Sequence, residues 1–181
     1  MLFWPRPGWK DAIRYSRQVI ATAPSPGTSA LSGQVILVSN DKGTFGDAVQ
    51  EIVNAGPQGF QAIRGTDQTE AGEEDKTFQC TVSVPGSQRT TVWAYANGEF
   101  AVRCRFARTD VSERAKTLYN NLCQNLKQNI PSSWPSEDAT GQDPFYHGVF
   151  KAYASNRVSI SVEWHTETSG LDSVYLVFEY P

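Results

Sequence analysis

Glu163, His165 and Glu167 recur at every second position near the chain's end, a spacing that places two carboxylates and an imidazole on one side of a strand. Such a set could move a proton or hold a metal. Side chains of equal parity stand roughly 7 Å apart along a strand, however, so the three cannot ligate one ion without help from elsewhere. Solvent-facing polar residues are the plain expectation, and no metal site or cofactor is expected. His147, just before Gly148, could serve as a base if a nucleophile faced it. No GxSxG elbow supplies one. Cys80, Cys104 and Cys123 have no CxxC or Cys/His spacing and no cationic setting to activate a thiol. Buried free thiols are expected, with a Cys80 to Cys104 bridge as the alternative.

A second constellation suits recognition rather than reaction. Arg103 and Arg105 share a polar parity, Arg108 follows, and Trp93 and Tyr95 share a parity on the preceding run. Guanidinium groups beside aromatic rings could stack on bases, sugars or a protein partner. The bland expectation is that Trp93 and Tyr95 point into the core while the arginines solvate the outer face. Exposure of Trp93 would mark an interface instead. Trp134, between Pro131 and Pro135, is expected to pack back onto the core. Lys42, Gly43, Thr44 and Gly46 lie between a strand-like and a helix-like run, where free amides could hold an anion. They lack the composition of a phosphate loop, so an ordinary capped turn is expected.

The elements that must position these residues follow from hydrophobic period. Thr44 reads as an N-cap with Asp47 three residues on, and Phe45, Val49, Ile52 and Val53 form a helical stripe that stops at 54–57, NAGP. Residues 64–76 hold several acidic side chains without a period and read as a loop. Phe78, Cys80, Val82 and Val84 alternate with polar residues, as do Phe100, Val102, Cys104 and Phe106, and Asn97-Gly98 marks the hairpin between the run TTVWAYA and the latter. Asp110 and Glu113 read as a capping box for a helix carrying Ala115, Leu118, Leu122 and Leu126 up to Pro131. After the loop 131–144, HGVFKAYA, then Val158 to His165, and Ser173 to Tyr180 read as three strands, the last apolar on both parities and hence interior. A helix followed by three strands thus occurs twice, across 45–107 and 111–180, with little residue identity between the copies. The expected fold is α+β, a largely antiparallel sheet of about six to seven strands with two main helices on one face.

The 181 residues suffice for one main core. Residues 34–181 are expected to form it, beginning with the apolar run Gln34 to Ser39. Residues 1–33 read as an N-terminal extension, with a short helix over 9–21 and a Pro/Gly/Ser-rich linker over 22–33. A net charge of −3 opposes attraction to phosphate backbones and anionic lipid, so neither nucleic acid nor membrane insertion is expected. No targeting signal is visible, which makes the cytoplasm the default compartment unless the true start lies upstream. An ordered fold without reactive motifs points to a non-enzymatic binding or protein-interaction domain, using Trp93, Arg103, Arg105, Glu163 and His165 toward a protein partner or small ligand. The alternative is a small hydrolase or isomerase with His147 or His165 as base beside Glu163.

Overall fold

The computed structural model describes residues 44–140 and 146–181. The expected helix over 9–21, the linker and the run Gln34 to Ser39 lie outside them. The described residues form two α-helices, α1 (Phe45–Ala55) and α2 (Ser112–Asn129), two 3-10 turns (Gly56–Gln58 and Gln61–Ile63) and eight strands: β1 (Arg64–Asp67), β2 (Lys76–Cys80), β3 (Arg89–Ala94), β4 (Phe100–Thr109), β5 (Ser136–Asp138), β6 (Tyr146–Tyr153), β7 (Ser159–Thr166) and β8 (Asp172–Tyr180). The strands form one antiparallel sheet in the order β1-β2-β3-β4-β8-β7-β6-β5. Each helix therefore precedes a meander of four strands rather than three, and the two meanders join where β4 pairs with β8.

Helix α1 starts as its sequence dictates. Asp47 N–H donates to Thr44 Oγ1 at 3.2 Å while Thr44 N–H donates to Asp47 Oδ2 at 2.9 Å, which satisfies two of the end's free amides. Its stripe Ala48, Val49, Ile52 and Val53 is buried. Asn156, in the β6–β7 turn, donates to the Val53 carbonyl at 2.7 Å and so ties the helix end to the far meander. Helix α2 departs from expectation at its start. The capping box of Asp110 and Glu113 does not form; Val111 takes the cap position, its amide donating to Thr109 Oγ1 at 3.1 Å. The carboxylate of Asp172 on β8 faces Ser112 and supplies the negative charge that a helix start favours.

Both helices pack on one side of the sheet. Their buried residues join Val92, Val102, Cys104, Phe150, Ala152, Ile160, Val162, Val174, Leu176 and Phe178 in a single core, with Trp134 partly buried against it. Burying an aliphatic side chain fully stabilises by about 1.5–3 kcal/mol, so this layer dominates folding. Cys80, Cys104 and Cys123 are free and buried in it. Thr90 of β3 stands opposite Cys104, and Cys80 lies one strand further on, so about two strand spacings, near 10 Å, exclude a bridge. Burial pushes the Cys80 and Cys123 thiols up to about 11, far from a reactive thiolate.

Two strands escaped the pattern reading. Arg64–Asp67 and Ser136–Asp138 are edge strands with mostly exposed side chains, so burial imprints no period-two signal on them. Conversely β2 ends at Cys80, although apolar alternation runs on to Val84. Residues 81–84 leave the ladder while Val82 and Val84 remain in the core.

Candidate functional site

The opposite face of the sheet carries no helix among the described residues. Strand register decides what stands on it. Val92 pairs with Val102 on the core side, so Trp93, paired with Ala101, points the other way, as do Thr91 with Arg103 and Arg89 with Arg105. Trp93 and Tyr95 are therefore not core residues, contrary to the bland expectation; both are half-buried on the polar face. On the other side of β4, Arg103 pairs with Val177 and Arg105 with Tyr175. Tyr175 pairs in turn with Glu163, and Ser173 with His165.

These side chains touch in two groups. Trp93 stacks on Tyr95 with centroids 6.1 Å apart, and the Arg103 guanidinium lies 5.9 Å from the Trp93 ring centroid. His165 stacks on Tyr175 at 5.6 Å with the planes 5° apart, and Tyr146 meets its edge at 5.3 Å. With Arg105 directly opposite Tyr175, the band Tyr95, Trp93, Arg103, Arg105, Tyr175, His165, Tyr146 runs diagonally across five strands.

Charge on this face is divided by strand. Arg89 on β3 and Arg103, Arg105 and Arg108 on β4 supply cations, Glu163, Glu167 and Glu179 lie on or beside β7 and β8, and Lys151 follows on β6. Arg108 reaches this face only because a bulge between Arg105 and Ala107 adds a residue to β4 and reverses the parity beyond it. Its Nε then pairs with Glu167 Oε2 at 2.9 Å. Burial alone would raise the Glu167 carboxyl, but hydrogen bonds from Ser173 and Arg108 outweigh it and hold the group below the usual range. Glu163 accepts from Ser161 Oγ at 2.7 Å. Burial, the largest influence on His165, holds its imidazole below the usual value; Glu167 opposes this, whereas Arg103 and His147 add to it.

The spacing that suggested a metal or proton site is thus divided among separate partners: Glu163 to Ser161, Glu167 to Arg108 and Ser173, His165 to two tyrosine rings. No group of three potential metal ligands occurs among the described residues. His147 is exposed, and its Nε2 lies 2.7 Å from Thr166 Oγ1, which is itself 2.6 Å from Asp172 Oδ1. The Asp172 carboxyl is held low: burial opposes this, but the Thr166 hydroxyl at 2.6 Å and the nearby donors of Ser112 and Trp164 prevail. An ionised Asp172 accepts the Thr166 proton, so His147 Nε2 must donate to Thr166 rather than activate it. The hydroxyl beside His147 is therefore not poised as a nucleophile. An open groove lined by Asp47, Gln50, Glu51, Asn54, Gln58 and Ile63 contains neither histidine.

Thr44 and Gly46 serve the α1 cap, while Lys42 and Gly43 lie outside the described residues. Sequence reasoning missed Arg89, Tyr146 and Tyr175. Arg89 shares the parity of Trp93, so extending that alternation by four residues would have found it. Tyr175 sits in a run apolar on both parities, where no polar face announces itself. Comparison with known protein families, characterised proteins and solved structures finds no match for this chain.

Proposed function

We propose that this chain is a non-enzymatic binding or protein-interaction domain whose recognition surface is the sheet face around Trp93, Arg103, Arg105, Glu163 and His165. The observation that carries this reading is the diagonal band of aromatic and guanidinium side chains on the face opposite both helices. A solvated sheet face needs no tryptophan and three tyrosines; rigid aromatic groups and arginine dominate surfaces that bind. The hydrolase or isomerase reading is weaker. It would need a nucleophile or substrate pocket beside His147 or His165, and the Thr166 proton is committed to Asp172.

The test is affinity capture with the wild-type chain and with a double charge reversal, Arg103→Glu and Arg105→Glu, each first checked for an intact fold by circular dichroism. Partners or ligands retained by the wild type are expected to be lost by the variant. Equal capture of every recovered partner by both proteins would remove the surface assignment.

A further inference from the structure

Val177 stands on the polar face, opposite Arg103 on β4 and Ser161 on β7, yet only 3% of it meets solvent. None of its four neighbours on the sheet explains this. The Arg103 guanidinium lies toward Trp93, Tyr175 stacks on His165, and Glu179 accepts from Ser159 Oγ at 3.3 Å, so the three long side chains lean away from it. Ser161 is short and is itself buried. Ala101, opposite Trp93, and Val149, opposite Glu163, are likewise buried on this face and belong to no part of the core beneath the helices. A sheet face turned to water carries polar residues, whereas a buried valine there marks a covered face. The exposures are those of a single chain, so the cover comes from that chain. Both helices pack on the other side. Residues 141–145 join β5 to β6 and, tied at both ends, reach no more than about 10 Å beyond Tyr146, whereas Val177 lies two strands across and five positions along, roughly 19 Å away. The chain ahead of α1 remains.

We propose that residues 1–21 of the same chain lie across this face over Val177 and occupy the recognition surface until a partner displaces them. This inference rests on the reading of the polar face as a binding surface and names its regulation. Composition selects the segment. Residues 22–33 hold one large apolar side chain, Leu31, and residues 34–43 lead directly into α1 on the opposite side of the sheet. Residues 1–21 carry Leu2, Phe3, Trp4, Trp9, Ile13 and Ile20, anchors large enough to fill the space above a valine. Length permits the crossing: residues 22–43 extend to about 70 Å, against a layer spacing of about 10 Å. Charge favours it as well. Residues 1–21 have four basic side chains against one acidic, and residues 44–181 have eleven against seventeen, so segment and body attract. A tethered segment competes at an effective concentration in the millimolar range, so even a weak contact keeps the face occupied.

The experiment uses the full chain with a specific protease site inserted between Gly27 and Thr28, cut only after folding, and follows the Val177 methyl and Trp93 indole resonances. The severed piece is expected to stay on the body through size-exclusion chromatography. Trp4→Ser combined with Trp9→Ser is expected to weaken that retention about tenfold or more, the loss of two aromatic anchors. In the uncut chain the same pair of changes should shift the Val177 and Trp93 signals and leave those of Val102, on the core side, in place. Val177→Thr, which keeps the branched shape, should weaken retention from the other side of the contact. Immediate loss of the wild-type piece with Val177 unmoved overturns the proposal. So do Val177 shifts that follow Val35→Ser and Ile36→Ser instead of the tryptophan changes, or that depend on protein concentration, since the cover is then residues 34–39 or a second copy. The two readings separate in partner capture. Release of the segment is expected to raise capture about tenfold. If the segment fails to hold while the Arg103/Arg105 charge reversal still abolishes capture, the docking is discarded and the binding face stands; if it holds and its release leaves capture unchanged, the regulatory role falls.

Discussion

At the scale of single residues, His165 is the group whose environment changes what it does. Packed between Tyr146 and Tyr175, its imidazole is held below the ordinary value of 6.5 chiefly by burial. The sign of the consequence is fixed by linkage. Between the depressed folded value and 6.5 the unfolded chain binds a proton that the folded chain refuses, so stability rises with pH across that window and levels off above it. Glu167 and Asp172, both held low, add a separate loss of stability only under more acidic conditions, below their ordinary values of 4.5 and 3.8. The two windows are separable by substitution. His165→Phe keeps a ring against Tyr175 and removes the titration. Urea unfolding at closely spaced pH values from 5 to 7.5 should show a slope in the wild type that is flattened in the variant; equal slopes would mean that another group is responsible. The individual roles were only partly legible in sequence. The alternation of Glu163, His165 and Glu167 placed them on one face, and Ser161 shares that parity on the same strand, but Tyr175 comes from β8 and Arg108 from β4 by way of a bulge.

At the scale of elements, three hairpins use one solution. Tyr95 to Glu99, Ala154 to Val158 and Glu167 to Leu171 each close with the first amide donating to the fifth residue's carbonyl around a three-residue loop. The fourth residue is left-handed in all three: Gly98 at φ 89°, Arg157 at φ 74° and Gly170 at φ 78°. A three-residue loop ending in a left-handed residue matches strand twist, and glycine adopts that backbone without steric cost. Asn97-Gly98 therefore signalled its hairpin correctly, although with a single left-handed residue. Arg157 occupies the glycine position at a cost. Arg157→Gly is expected to stabilise by roughly 0.5–1 kcal/mol, the relieved strain less the added freedom of the unfolded chain, as measured by urea denaturation; no gain would show that the Arg157 side chain offsets its backbone. Gly148 of β6 makes the opposite case. A Cβ there would lie 2.7 Å from the Tyr119 ring of α2, so Gly148→Ala should destabilise by about 1–3 kcal/mol, and Tyr119→Ala should relieve much of that coupling in a double-mutant cycle. Helix α2 and the alternating strands were legible because burial writes period into sequence. The α2 cap was not, because Asp172, distant in sequence, replaces the local Asp110 and Glu113 pair. Likewise β1 and β5 bury little and leave no trace.

At the scale of the whole molecule, the order β1-β2-β3-β4-β8-β7-β6-β5 reads the same from either end once each β-meander is renumbered, so the two halves relate by an approximate twofold axis between β4 and β8. The register carries that relation to individual positions. Counted from their loops, Trp93 opposite Ala101 corresponds to His165 opposite Ser173, and Arg103 corresponds to Tyr175. Each half thus sets one ring against one partner on the polar face, Trp93 under Arg103 and His165 on Tyr175, although the residue types differ. Sequence showed the repeat of elements, but not this correspondence, since it lies in register rather than identity. The same arrangement dictates where stability is concentrated. β4 and β8 pair over nine residue pairs at the centre, and β8 is buried on both parities, whereas β1 and β5 hold four and three residues at the edges. Opening the centre exposes core on both sides of the twofold axis and requires the whole sheet to separate; opening an edge exposes little. Native-state hydrogen exchange should therefore place the amides shared by β4 and β8 at the global unfolding free energy, with Val102, Cys104, Leu176 and Phe178 exchanging together, and those of β1 and β5 orders of magnitude faster. If instead each meander exchanged as its own unit, with the β4–β8 amides opening below the level of either half, the halves would be two docked domains rather than one cooperative sheet.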